Sequence, residues 1–423
     1  MRRVAASAED DPGHPVAVCI IVENTPSPGD RRVWQEARAL TAAGYRVSII
    51  CPKGPGAGES FVMQEGIEIF RYAHREGSGL LGHLGEYVWA LLAEFWLALR
   101  VYRRTRFRVL QACNPPDNIF LIALFFRLVC GTRFIFDHHD PCPELYEAIF
   151  EQRGWVYRIL RLCESLTFRA ADAVMATNET AAQHALDSGK LGANQVFIVR
   201  SCPDLSRFQL PAPNPALKEG RQHLVVYLGF MGPQDGLDLL LESIDHIVHQ
   251  QGRRDITFAL IGFGSESERL QRRASELGLS SQVRFTGPVY GDALLAYLAT
   301  ADVGVAPDPV NPLNDRLSML KIFEYMASGI PIVLYALTEG RRIAEDAALY
   351  ARANDPVDFA RQVTRLLDSE DLRHQLGAAG KQRAQTQLNW NTEKLTLVNA
   401  YRAALGTARQ PADDLTGVAS QKA

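Results

Sequence analysis

Short, nearly continuous apolar runs recur along this chain, each followed by a longer segment whose apolar positions return with helical spacing. An apolar run without polar alternation is a strand buried on both faces. Such strands belong to parallel sheets covered by their crossover helices. In the first half the pattern predicts strands near 16–22, 46–51, 68–71, 109–112, 133–136, 173–176 and 196–199. A second series follows near 224–228, 256–261, 283–285, 303–306, 332–334 and 349–350. The expected fold class is therefore α/β, with two doubly wound, Rossmann-like domains facing a cleft.

Residues 1–205 are the expected amino-terminal domain and 223–389 the carboxy-terminal domain. The segment 206–222 carries Pro211, Pro213 and Pro215 shortly after Pro203, which suits a linker. A last helix over 390–405 sets Leu395, Val398, Tyr401 and Leu405 at helical spacing, and crossing back to the first domain is open to it. From 406 to 423 the chain turns polar and is expected to fray.

Composition narrows the function classes. A length of 423 residues exceeds what one core usually organises, and 47% apolar residues suit a globular enzyme. The net charge of −3 gives no global attraction to nucleic acid, so none is expected as a partner. Seven scattered cysteines form no Cys-x-x-Cys pair, which argues against a disulfide framework or metal cluster and for a reducing cytoplasm. Residues 1–15 lack an apolar segment, so no signal peptide is expected. The apolar stretches 80–99 and 118–129 are interrupted by Glu86, Glu94 and Arg127, so neither reads as a membrane span. Peripheral contact with the inner face of a membrane stays open.

Ligands of doubly wound sheets bind outside the carboxyl ends of the strands, which directs attention to the turns just after them. After the first strand, Gly29 lets backbone approach a ligand and Asp30 is a natural helix N-cap; the alternative is an ordinary strand-to-helix turn. At Cys113-Asn114-Pro115-Pro116-Asp117, Asp117 either caps the next helix or binds a hydroxyl, with Asn114 beside it. Asp137-His138-His139-Asp140 sets two imidazoles and two carboxylates at the cleft. A histidine there can donate to a sugar hydroxyl or stabilise charge on a departing phosphate, and a structural role for one of the two is the alternative. Zinc-type ligand spacing is absent, and no metal is expected.

In the second half, the 229–236 turn, with Gly229, Met231 and Gly232, exposes backbone N–H groups suited to a diphosphate. The most informative stretch runs from Pro307 past Ser318 to Pro331. A helix of about two turns ended by Gly329 sets Glu324 near its start, where a carboxylate can accept hydrogen bonds from two vicinal hydroxyls. Lys321 and the helix amino end can face a diphosphate, with Arg316 and Arg341 the next cations on donor-side loops.

The Lys-x-x-Glu-Tyr-Met-Ala-x-Gly-x-Pro pattern over 321–331 resembles family 4 retaining glycosyltransferases of the GT-B type. Asp30-Arg31-Arg32-Val33 with Glu36-Ala37, Phe285-Thr286-Gly287 and Ile261-Gly262-Phe263-Gly264 resemble the same family, so the likeness spans most of the chain. The resemblance implies that Glu324 holds the donor ribose, that Thr286 and Val289 line the base pocket, and that the turns at Gly29 and Gly229 approach the phosphates. It also implies that His139 contacts the transferred sugar, that the leaving phosphate helps deprotonate the acceptor, and that a nucleoside diphosphate sugar is substrate with no separate cofactor. Two positions depart from the family pattern. Arg316 stands where a Glu that meets the donor sugar is common, and the 229–236 turn lacks the common Arg and Lys. A chain with this turn must neutralise phosphate elsewhere or has lost activity.

The expected function is retaining, metal-independent transfer of a hexose-type unit to an acceptor hydroxyl. An apolar, tryptophan-containing helix over 80–107 running into Arg100, Arg103, Arg104, Arg106 and Arg108 points to a lipid-linked saccharide acceptor, as in surface polysaccharide synthesis. A buried crossover helix with a basic exit is the other reading of that segment. The rival functions are an inactive sugar-nucleotide binding partner and a sugar-nucleotide epimerase.

Overall fold

In the first sheet, strands rich in Val and Ile stack so that the central ones are buried throughout. The computed structural model describes residues 15–54, 59–75, 79–150, 152–206 and 208–407; of the tail expected to fray over 406–423, Gly406 and Thr407 close the last helix by hydrogen bonds to Ala403 and Arg402, and 408–423 lie outside the described residues. The strands of this sheet are β1 (Ala17–Val22), β2 (Arg46–Pro52), β3 (Phe61–Gln64), β4 (Ile67–Tyr72), β5 (Val109–Cys113), β6 (Arg133–His138), β7 (Ala173–Ala176) and β8 (Val196–Ile198). Their order is β3-β4-β2-β1-β5-β6-β7-β8. Every neighbouring pair is parallel except β3 with β4.

The edge strand β3 is absent from the sequence expectation because it lacks a continuous apolar run: Phe61 and Met63 are exposed at the sheet edge. The second sheet holds β9 (His223–Leu228), β10 (Ile256–Ile261), β11 (Val283–Gly287), β12 (Val303–Ala306), β13 (Ile332–Tyr335) and β14 (Ala348–Ala351). Its order is β11-β10-β9-β12-β13-β14, parallel throughout.

Helices cover both faces of the first sheet. Gly79–Thr105, Phe120–Cys130 and Trp155–Ala170 share one core, around Phe126, Phe136 and Phe168. Arg31–Ala42 and the last helix, Trp390–Leu405, share the other, where Val33, Leu40, Leu397 and Tyr401 meet Val18 and Ile20. The carboxy-terminal helix thus packs on the amino-terminal sheet. Its buried stripe is Trp390, Leu397, Ala400, Tyr401 and Ala404. Leu395, expected on that stripe, is 62% exposed, because the helix turns on the phase set by Trp390 and Tyr401.

Chain direction across each sheet reverses at one strand. β1 lies between β2 and β5, and β9 lies between β10 and β12. Side chains that follow these switch-point strands are free of covering helices, and crevices form there.

Candidate active site between the two sheets

The carboxyl ends of the two sheets enclose a cavity of about 650 Å³. The first half contributes Gly29, Arg31, Arg32, His139 and Ser201, and the second Gly229, Val289, Ser318, Lys321 and Glu324.

The amino-terminal wall begins in the turn after β1. A Cβ on Gly29 would lie 2.8 Å from the Pro26 carbonyl oxygen, so the turn closes this tightly only with glycine. Asp30 caps Arg31–Ala42 by accepting from the Val33 N–H at 3.0 Å. Arg32 is buried and forks onto Asp137, Nη2 to Oδ1 at 2.7 Å and Nε to Oδ2 at 3.1 Å. Its Nη1 donates to the Val199 carbonyl at 2.6 Å and to Ser201 Oγ at 3.1 Å. His139 Nε2 lies 2.6 Å from Asp137 Oδ2. Burial raises the Asp137 carboxyl, but Arg32 and His139 outweigh it and hold the group well below the usual carboxylate range. Burial lowers His139, yet the charge and hydrogen bond of Asp137 lift it above the ordinary histidine value.

The same network reaches across the domain. Glu36, 3.1 Å from Arg32 Nε, is pushed up to about 8 by burial and by Asp137. Gln111 Nε2 donates to Glu36 at 2.8 Å, and the Tyr401 hydroxyl of the last helix donates to Gln111 Oε1. Cys113, Asp137 and His139 offer metal-donor atoms within 4.8 Å of one another. Asp137 gives both oxygens to Arg32 and pairs with His139, while burial raises the Cys113 thiol well above its ordinary value.

The two adjacent histidines part company at the end of β6. His138 shares the strand face of Phe136, packs on Phe168 and His184, and is lowered to about 4 by burial. It faces the core, not the main cavity, whereas His139 lines that cavity. Asp117 neither caps nor lines: the N-cap of Phe120–Cys130 is Ile119 without a side-chain bond, and buried Asp117 accepts from Asn114 at 3.1 Å. Asn114 is fully buried too, and its Oδ1 accepts from the His139 N–H at 2.6 Å. Both residues position the His139 loop from behind, so the expectation of direct acceptor contact is corrected.

The carboxy-terminal wall depends on a close backbone approach. Gly229 sits at φ 153°, and a Cβ on Gly262 would lie 1.8 Å from the Gly229 carbonyl oxygen, so the turns after β9 and β10 stack backbone on backbone. Helix Leu320–Ser328 starts at Met319 with no side-chain cap and stops at Gly329, φ 73°. From it Glu324 lines the cavity and accepts from Arg31 Nη1 at 2.7 Å. Lys321 Nζ donates to both Asp308 oxygens, at 2.8 and 2.9 Å, in a buried pair. Burial raises Asp235, in the turn after β9, to about 6.

Several donor-side expectations lie off the cavity. Met231 is buried in the core, the Gly232 N–H donates to Asp235 at 2.9 Å, and Thr286 donates to the Gly287 carbonyl at 2.8 Å. Pro307 is buried under Gly236. Arg341 stacks on Tyr350 at 4.3 Å, and Arg316 donates to Glu144 of the first half at 2.6 Å; neither lines the cavity. Asn178 adds a further tie between the halves, donating to the Arg316 carbonyl at 2.9 Å and to Ser318 Oγ at 3.1 Å. Motif spacing did not reveal the cleft roles of Arg31, Ser201 and Tyr290, which arise from chain segments far apart.

The family described as "Glycosyl transferase 4-like domain" matches residues 29–201, and "Glycosyl transferases group 1" matches residues 222–369. A D-inositol 3-phosphate glycosyltransferase of Thermomonospora curvata is 29% identical over 224 residues, 51% of this chain and 49% of that protein. The chain thus spans about half the length of this relative. Sucrose-phosphate synthase from Thermosynechococcus elongatus superposes with a TM-score of 0.74 at 17% identity, covering 93% of this chain and all 100% of that one. Anabaena HepE in complex with UDP and glucose gives 0.69 at 14% identity, covering 92% of this chain and 100% of that one. Two doubly wound sheets facing one cavity, each half matched in order by its own glycosyltransferase family model, make this chain a family 4 glycosyltransferase with the GT-B fold.

Proposed function

We propose that the chain transfers a hexose-type unit from a nucleoside diphosphate sugar to an acceptor hydroxyl, retaining anomeric configuration and using no divalent metal. The observation that carries this reading is that Glu324 and His139 line one cavity, each from a different sheet. Glu324 is the acceptor for the ribose diol, and the uncapped amino end of Leu320–Ser328 provides N–H groups for the diphosphate. The bond from the anomeric carbon to phosphate breaks as the acceptor oxygen bonds on the same face, and the acceptor proton passes to the departing phosphate. His139, lifted by Asp137 toward its charged form, donates to the sugar or the phosphate and stabilises charge developing there. The UDP complexes of Anabaena HepE support the donor class.

The proposed acceptor is a lipid-linked saccharide reached at an anionic membrane surface, where the protein is peripheral. Among the described residues no helix is long and apolar enough to cross a membrane. Val88, Leu92 and Trp96, the last 65% exposed, form a stripe four residues apart that continues to exposed Arg100. On the same side of the first sheet, Trp155, Ile159, Leu162 and Leu166 form a second exposed apolar stripe at helical spacing. Apolar stripes ending in arginines suit a headgroup layer.

The test is a donor panel of UDP-, GDP- and ADP-sugars with EDTA present, read by NMR at the anomeric carbon. Donor turnover with retention supports the reading. Inversion, dependence on manganese, or mere epimer formation overturns it. Sedimentation with phosphatidylglycerol vesicles, reduced in a Leu92→Glu, Trp96→Glu variant, is the expected result for the membrane face.

A further inference from the structure

Among the described residues that line the cavity, one ion pair joins its two walls: Arg31 Nη1 to Glu324 Oε1 at 2.7 Å, between residues 293 positions apart. Its partners are unlike: the Arg31 side chain is 68% exposed and that of Glu324 only 7%. The other two Arg and Lys side chains lining the cavity are committed within their own halves, Arg32 to Asp137 and Lys321 to Asp308. Carboxylates also line the cavity, at Asp30, Asp140, Asp235 and Glu324. A diphosphate entering it therefore meets acidic side chains and two cations whose charge is already compensated. Arg31 is the exception. An exposed ion pair on a long, flexible side chain contributes little and exchanges readily, and a guanidinium can fork onto phosphate as well as onto carboxylate.

We infer that Arg31 is an exchangeable cation of the donor site. In the empty cleft it occupies the Glu324 carboxylate; when the ribose diol takes that carboxylate, the guanidinium turns onto the diphosphate. This rests on the nucleotide-sugar reading of the cavity. It has a consequence that a simple closure contact lacks. A nucleoside alone must displace Arg31 without offering it a new partner, whereas the diphosphate both displaces and rewards it. The gain in affinity from adding the diphosphate therefore passes through Arg31.

The test is calorimetric titration of the full chain with uridine and UDP, guanosine and GDP, and adenosine and ADP, using wild type, Arg31→Ala and Arg31→Lys. For the base that binds, Arg31→Ala is expected to lower the ratio of diphosphate to nucleoside affinity tenfold or more, the scale of one charge-assisted contact, and Arg31→Lys to recover part of it. A ratio unchanged in Arg31→Ala overturns the exchange while leaving the donor reading standing. A wild type that binds none of the diphosphates overturns the donor reading, and the exchange falls with it. The exposed position of Arg31 keeps the alanine variant folded, which a thermal melt checks.

Discussion

Arg31 and Arg32 are the first two residues of one helix, and helical rotation sends them to opposite fates. Arg32 lies on the stripe of Val33, Glu36, Ala37 and Leu40 and is buried against Asp137 at the carboxyl edge of β6. Arg31, about 100° away, reaches over the cleft to Glu324. The difference shows that charge alone does not define a site residue. Buried, forked and shared among several groups, a guanidinium fixes the wall that orients His139; exposed and singly paired, it is available to a ligand.

Removing each arginine in turn separates the two roles. Arg32→Ala strands the ionised Asp137 without its guanidinium partner and should lower unfolding free energy by about 3–5 kcal/mol in a urea titration, whereas Arg31→Ala should change it by no more than about 1 kcal/mol. Equal losses would erase the distinction.

Lys321 belongs with Arg32 in this respect. The sequence alone favours Lys321 as a diphosphate cation whose loss spares stability; its buried fork onto Asp308 revises that expectation. Lys321→Ala should destabilise by about 3 kcal/mol or more, and adding Asp308→Asn should restore part of it. A stable single variant would return Lys321 to the role of a free phosphate ligand.

Next in size is Glu324→Ala. Losing a charge-assisted acceptor for the ribose is worth about 1.5–3 kcal/mol, so nucleoside affinity should fall by one to two orders of magnitude. Unchanged affinity in a folded variant would refute the ribose role.

The smallest expected effect separates the histidines by sign. His138, lowered to about 4, stabilises the fold in its neutral form; that stability is present above the ordinary value of 6.5 and is lost as pH falls through 6.5 toward 4. His139, raised by Asp137, contributes stability that is full below the ordinary value and is lost as pH rises through its folded value. Between pH 7 and 5.5 a folded His138→Leu variant should lose about 1 kcal/mol less than wild type. His139→Gln should instead flatten the decline on the alkaline side. Urea midpoints across pH would show both, and slopes changing in the same direction would contradict the assignment.

The fold was legible because parallel strands buried on both faces announce themselves as unbroken apolar runs, as in Ala17–Val22 and Ile256–Ile261. β3 was not, since an edge strand needs no such run. The division between His138 and His139 was partly legible: strand alternation puts His138 with Phe134 and Phe136, which already implies core. Asp117 misled because a carboxylate three residues before a helix suggests a cap, while the chain uses it to hold Asn114. The pairing of Arg31 with Glu324, and of Arg316 with Glu144, joins residues distant in sequence that only the meeting of two sheets brings together.

Hydrogen–deuterium exchange with and without a saturating nucleoside diphosphate tests whether one donor site is built from the switch points of both sheets. Protection is expected in both halves at once, in the turn at 25–32 and the loop at 139–140 on one side, and at 228–230 and 317–324 on the other. Protection confined to one half, or lying away from these turns, would contradict it.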